Sequence, residues 1–143
     1  MADILHGAFV TKMASEPDAL TRQRLRAQID PDNPGTDVLV AEHPERGVLG
    51  VVTINWTDNL RLGLDAFIAD LFVHEDARGE GAGSALINAA KNRAARAGAV
   101  RVLLYTGRSG PAASREFYEK QGFERRDDVA VYLMHVPPGG DAD

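Results

Sequence analysis

The sequence predicts an α/β fold, on three observations. Two β-branched runs, "DVLVAEH" (37–43) and "GVLGVVTINWT" (47–57), flank the short segment "PER" and read as an antiparallel hairpin. A third apolar run, "LDAFIADLFVH" (64–74), leads through the glycine-rich heptad "ARGEGAG" (77–83) into an alanine-rich stretch at helical spacing. A nearly continuous apolar run, "AVRVLLYT" (99–106), then closes a strand–helix–strand unit, as a strand covered on both faces would. The expected architecture is a single domain over 1–143. In it a mixed sheet, an antiparallel meander followed by a strand–helix–strand unit, is flanked by helices.

Each element has its own local signals. Residues 14–28 suit a helix with Ser15 as N-cap, Pro17 in the first turn, and Leu20 and Leu25 facing inward. "DPDNPG" (30–35) is a loop by composition, and "DNLRLG" (58–63) turns the second strand into the third. Over 82–97, Ala82, Ala85, Leu86, Ala89, Ala90, Ala94 and Ala97 trace an apolar stripe, and Gly98 supplies the stop. "PAASREFYEKQG" (111–122) predicts a short helix opened by Pro111 and closed by Gly122. "VAVYLMHV" (129–136) predicts a final strand before a frayed tail.

Composition narrows the function classes. The chain has 143 residues, enough for one hydrophobic core, with 44% apolar and 26% charged residues. A net charge of -5 argues against a general nucleic-acid binder, which needs a basic face, and favours cationic partners such as amines. No apolar run is long enough to span a bilayer, and the N-terminus lacks the pattern of a signal peptide. Without cysteine there is neither thiolate nucleophile nor thiolate metal site, and a reduced, cytoplasmic setting is expected. His6, His43, His74 and His135 show no metal-ligand spacing, so no metal is expected.

The heptad carries the chemistry. Glycine in a helix's first turn costs stability, so Gly79, Gly81 and Gly83 need another reason. A helix N-terminus offers unpaired amides and positive dipole, and glycines let those amides approach an anion. Arg78 adds a forked cationic donor. A tight turn alone is the competing explanation. "GEGAGS" lacks the spacing of a dinucleotide fingerprint, and no P-loop lysine follows.

The pattern that fits is R-x-x-G-x-G: Arg78, Gly81 and Gly83, set after a strand and followed by "FYEKQGF" (117–123). Over 38–135 the chain resembles the GNAT superfamily of N-acetyltransferases. The resemblance implies that the backbone amides of Gly79, Glu80, Gly81, Ala82, Gly83 and Ser84 hold the pyrophosphate of acetyl-CoA beside Arg78. It also implies that Leu71, Phe72 and Val73 bond the pantetheine arm like an added strand, one of their amides polarising the thioester carbonyl. Tyr118 takes the position of the family's general acid, with a buried core tyrosine as the competing reading.

The sequence also departs from the family pattern. Where many relatives carry a glutamate base on the central strand, this chain has Ala69. Asp70 is the nearest replacement. Simple alternation puts it on the face of Ile68 and Phe72, as base, amine anchor or structural carboxylate. Where relatives often place a cofactor-binding asparagine stands Pro111, so Ser109 or Ser114 is expected to serve instead. "DILHGAFVTK" (3–12) falls where the family's first strand begins.

The implied reaction is direct acetyl transfer from acetyl-CoA to a primary amine in a ternary complex. The alternative is an acyl-CoA-binding sensor or interaction module that has lost turnover, and a generic phosphate-binding scaffold is a third reading. Asp58, Asp65 and Asp70 point to a cationic small molecule such as a polyamine or aminoglycoside, with a peptide amine still open. A membrane or nucleic-acid partner is not expected. The apolar final strand is the seam expected for a homodimer.

Overall fold

The computed structural model describes residues 35–106 and 112–139, with the backbone alone for 112–115. The expectations for 3–12, 14–28, Ser109 and Pro111 lie outside the described residues. The chain divides into two compact units, Met1–Gly110 and Pro111–Asp143.

In the first unit the strands are β1 (Thr36–His43), β2 (Gly47–Asn59), β3 (Gly63–Val73) and β4 (Arg101–Leu103). They form a four-stranded mixed sheet in the order β1-β2-β3-β4. The first three make an antiparallel meander, and β4 pairs parallel to β3 after a crossover through helix α1 (Ala82–Ala97). That is the predicted topology, and the helix has the predicted bounds. β4 is the shortfall. It pairs only Asp65–Phe67 with Arg101–Leu103, against the strand expected over 99–106. Val100 and Tyr105, expected to be covered, are exposed.

α1 packs on one face of the sheet. Leu86 meets the backbone at Gly50, and Arg93 lies 5.6 Å over the Trp56 ring and pairs with Asp37 at 2.8 Å. Gly50, Val52, Ile54 and Trp56 therefore point at α1, and Val51, Thr53, Asn55 and Thr57 point away. The buried stripe of α1 is Ala82, Leu86, Ile87, Ala90 and Ala94. Ile87, left out of the alanine-traced stripe, is fully buried, whereas Ala85 and Ala97 are exposed. Burying a β-branched side chain of that size excludes more apolar surface than an alanine can, so it sets the face.

Between Thr53 and Ile54 the β2–β3 register shifts: Thr53 pairs with Asp70 and Ile54 with Ile68, leaving Ala69 as a bulge. A bulge resets alternation. Asp70 therefore shares the face of Phe72 and Thr53, away from α1, while Ile68 faces the helix. The expectation that Asp70 and Ile68 share a face is corrected by this one extra residue.

In the second unit, α2 (Ala112–Lys120) is followed by a turn in which the Phe123 amide donates to the Tyr118 carbonyl at 3.1 Å. The predicted strand over 129–136 does not form. Val129, Val131, Tyr132, Leu133, Met134 and Val136 are exposed, without a ladder partner among the described residues. An apolar, β-branched run supplies one side of a ladder; strand geometry also needs a partner strand to bond.

Candidate functional site

β3 ends at Val73, and the chain turns at once. The His74 amide donates to the Leu49 carbonyl at 2.6 Å, and a single 3-10 turn, Glu75–Ala77, follows. His74 caps that turn, its Nδ1 accepting the Asp76 amide at 3.2 Å. Ala77 is buried and anchors the turn to the core. From Arg78 the chain runs exposed to the helix.

Two of the three glycines are explained by backbone conformation. Gly79 has φ 81° and Gly81 has φ 89°, both in the left-handed region that costs a side-chain-bearing residue about 1 kcal/mol or more. A Cβ at either would meet nothing within 4 Å, so the space outside the loop is open. Gly83 has no positive φ and is the second residue of α1.

The amides make this a site. Gly81 is the N-cap of α1 and, having no side chain, bonds none of the first-turn amides. The first bond across the cap is Ala85 N–H to the Gly81 carbonyl at 3.0 Å. The amides of Gly79, Gly81, Ala82 and Gly83 have no partner among the described residues, and Ser84 follows in the same turn. Arg78 is exposed and forms no ion pair among the described residues. The arrangement can accept a multiply charged anion by main-chain donors, with one guanidinium at the rim.

The Glu80 carboxylate is engaged by Arg46. Arg46 Nη1 donates to Glu80 Oε1 at 2.9 Å, and Arg46 Nη2 donates to the Asp76 carbonyl at 3.1 Å. Arg46 belongs to the β1–β2 turn, 34 positions from Glu80, and no sequence motif marks it.

Beside the loop, Leu71, Phe72 and Val73 pair with Val52, Val51 and Gly50 on the β2 side. On the other side, β4 stops pairing at Phe67–Leu103, well before β3 ends. β4 thus does not cover the last stretch of β3.

Asp70 sits at the bulge, half-buried, with Thr53 Oγ1 donating to its Oδ2 at 2.6 Å. Its Oδ1 has no partner among the described residues. Thr53 was missed by sequence reasoning, because only the bulged register sets it opposite Asp70. Asp65, on the same face, is committed elsewhere. Arg101 Nε and Nη2 donate to its two oxygens at 2.8 and 3.0 Å, and Asn59 Nδ2 donates at 2.9 Å. Those Arg101 hydrogen bonds hold its carboxyl below the ordinary aspartate value, against desolvation. Of the three aspartates read as attracting a cationic acceptor, Asp65 is therefore already neutralised, and Asp58 is exposed on the β2 end.

In the second unit, the Tyr118 ring is half-buried between Phe117 and Phe123, at 5.3 and 6.0 Å between centroids. Burial pushes its hydroxyl pKa above the ordinary tyrosine value, so it holds its proton at neutral pH. The backbone of Ser114 lies in α2, and its side chain is outside the described residues. Among the described residues no cluster of His, Asp or Glu is arranged to hold a metal, and no helix is long and apolar enough to cross a membrane.

Comparison with known proteins agrees with this architecture. Residues 34–125 match the acetyltransferase (GNAT) domain family. An uncharacterized N-acetyltransferase of Methanocaldococcus jannaschii is 39% identical over 82 residues, covering 57% of this chain and 36% of that protein. One of Bacillus subtilis (strain 168) is 40% identical over 68 residues, covering 48% and 45%. The chain thus matches less than half the length of either relative. Among solved structures, a transcriptional regulator from Bacillus halodurans C-125 superimposes with TM-score 0.73 at 26% identity, over 94% of this chain and 93% of that one. AAC(6')-Iy, in complex with the bisubstrate analog CoA-S-monomethyl-acetylneamine, gives 0.76 at 16% identity, over 94% and 92%. The ribosomal-protein-alanine N-acetyltransferase from Brucella melitensis biovar Abortus 2308 gives 0.73 at 20%, over 94% and 93%. The last two bear on the fold alone. With the family match spanning most of the chain, this protein belongs to the GNAT acetyltransferase family.

Proposed function

We infer that the chain binds acetyl-CoA and transfers its acetyl group to a primary amine by direct attack in a ternary complex. The observation that carries this reading is the loop after Arg78: the amides of Gly79, Gly81, Ala82 and Gly83 without a partner among the described residues, two left-handed glycines with open space beside them, and a guanidinium that forms no ion pair among the described residues. Those residues fit a diphosphate. The β3 edge at Leu71, Phe72 and Val73 fits the pantetheine amides, and one of its N–H groups would polarise the thioester carbonyl. Asp70 Oδ1 would take a proton from the incoming ammonium, while Thr53 holds Oδ2. The amine nitrogen would then bond to the acetyl carbon and the C–S bond break. Tyr118, kept protonated by burial, would give its proton to the departing thiolate. The second proton that the nitrogen sheds as the amide forms would restore the Tyr118 hydroxyl, the proton on Asp70 passing to solvent. Ser114 would complete the cofactor contacts from α2. The acceptor amine, small molecule or peptide, is cationic before attack, and among the described residues Asp70 has an oxygen without a partner to meet it.

A second reading rests on Ala69. The bulge presents an exposed methyl where the family's usual base would stand, as in a binding module without turnover. Thermal shift with acetyl-CoA, ATP and NAD, followed by thiol release over a panel of amines, separates the readings. The transferase is expected to be stabilised most by acetyl-CoA and to release CoASH with at least one amine. Tyr118→Phe should lower that release about 10²-fold, the low end of general-acid contributions. Stabilisation without release across the panel would favour the module, and greater stabilisation by ATP or NAD would overturn both.

A further inference from the structure

Arg46 crosses from the β1–β2 turn to the connection between β3 and α1 and touches it twice. Its Nη2 donates to the Asp76 carbonyl in the 3-10 turn, and its Nη1 pairs with Glu80. Glu80 is the one residue with a side chain in the stretch 79–81, flanked by the two left-handed glycines. Glycine has the most conformational freedom to lose, so this stretch has the greatest need of an external hold. Among the described residues the other bond on Glu80 is its amide to the Ala77 carbonyl, long at 3.4 Å. Both ends of the Arg46 bridge are themselves braced by imidazoles. His43 Nδ1 accepts the amides of Glu45 and Arg46 at 3.1 and 3.2 Å, and His74 Nδ1 accepts the Asp76 amide.

The charges make the same point. A carboxylate in the middle of a diphosphate-binding loop would repel the ligand. Arg46 both neutralises Glu80 and holds it aside. The pair is half-exposed, so it contributes little to folding, and its effect on the loop can be read separately from stability.

We propose that Arg46 is a positioning residue for acetyl-CoA binding. It orders the Gly79–Gly81 backbone through Glu80 and the Asp76 carbonyl, and it removes the Glu80 charge from the phosphate site. This rests on the reading of the loop as the acetyl-CoA site.

Calorimetric titration of CoA into the unacylated protein tests it without any turnover. Arg46→Ala is expected to weaken CoA about 10-fold and to raise KM for acetyl-CoA by the same factor. Its kcat and melting temperature should stay near those of the wild type. Arg46→Lys should recover part of the loss, because a single ammonium replaces a fork that spans two acceptors. Adding Glu80→Gln to Arg46→Ala should restore part of the affinity, since the uncompensated carboxylate is gone. CoA affinity in Arg46→Ala equal to wild type would overturn the proposal. So would a double variant as weak as Arg46→Ala, which would mean that Arg46 touches the ligand and does not act through Glu80. Failure of the wild type to bind CoA would instead overturn the reading of the loop.

Discussion

Asp65 and Asp70 stand on one strand, on the sheet face away from α1, and their surroundings are opposite. Asp65 is 5% exposed and has both oxygens filled by the Arg101 fork and Asn59. Asp70 is half-buried, has one oxygen held by the Thr53 hydroxyl, and has the other without a partner among the described residues. A buried carboxylate with a matched cation is spent on structure, because its lone pairs and its charge are both used. A carboxylate oriented by one neutral donor keeps its charge and an acceptor for chemistry. The bulge at Ala69 separates the two environments, since without it Asp70 would point at α1.

The largest expected effect follows from that division. Asp70→Asn keeps shape and removes proton affinity, so kcat should fall about 10²-fold, in the range of a positioned general base. Its melting temperature should stay within a few degrees of wild type, as one polar contact on a half-buried group is worth only about 1 kcal/mol. Steady-state kinetics and a thermal melt on the same preparation check both. An Asp70→Asn enzyme with full kcat would place Asp70 with Asp65 among the structural carboxylates.

Asp65→Asn should do the reverse, leaving kcat within about 2-fold while costing stability. Breaking a fully buried pair costs about 3–5 kcal/mol, but Arg101 is half-exposed and can regain water, so about 2 kcal/mol is expected by denaturant titration. This loss has a pH signature. The folded pKa of Asp65 lies below its ordinary value of 3.8, so its carboxylate stabilises the fold above that pH, and the contribution disappears as pH falls through the folded value. The stability gap between wild type and Asp65→Asn should therefore be constant near neutrality and narrow below about pH 4. A gap that persists unchanged at lower pH would show that the Arg101 contact is not charge-dependent.

How much of this contrast could be read beforehand depends on which residue is asked. The meander, the bounds of α1 and the loop between them were legible, because β-branched runs, alanine periodicity and glycine punctuation are local signals. Asp70 was legible as a candidate, but its face was not. A bulge is a property of two strands in register, and nothing in "FIADLF" marks the inserted residue. Thr53 and Arg46 were hidden for the same reason, since each acquires its role from a partner far along the chain. The 129–136 segment failed the other way: its run of apolar, strand-prone residues is present, but it joins no ladder among the described residues.

The smallest expected effect tests what orients Asp70. Thr53 is 5% exposed, and its hydroxyl donates to Asp70 Oδ2 at 2.6 Å. Thr53→Val preserves shape and β-branching while deleting the donor. Removing a buried hydroxyl spares its desolvation, and Asp70 can take a water in exchange, so stability should change by less than about 1 kcal/mol. In kcat the same deletion should cost about 5-fold, because the carboxylate loses the bond that aims Oδ1. Thr53→Ser, which keeps the donor, should return most of that rate. If Thr53→Val turns over like wild type while Asp70→Asn does not, the carboxylate is aimed by the bulged backbone alone. If both variants lose stability and neither loses rate, then both ends of β3 carry structural carboxylates, and the base for amine attack lies elsewhere in the chain.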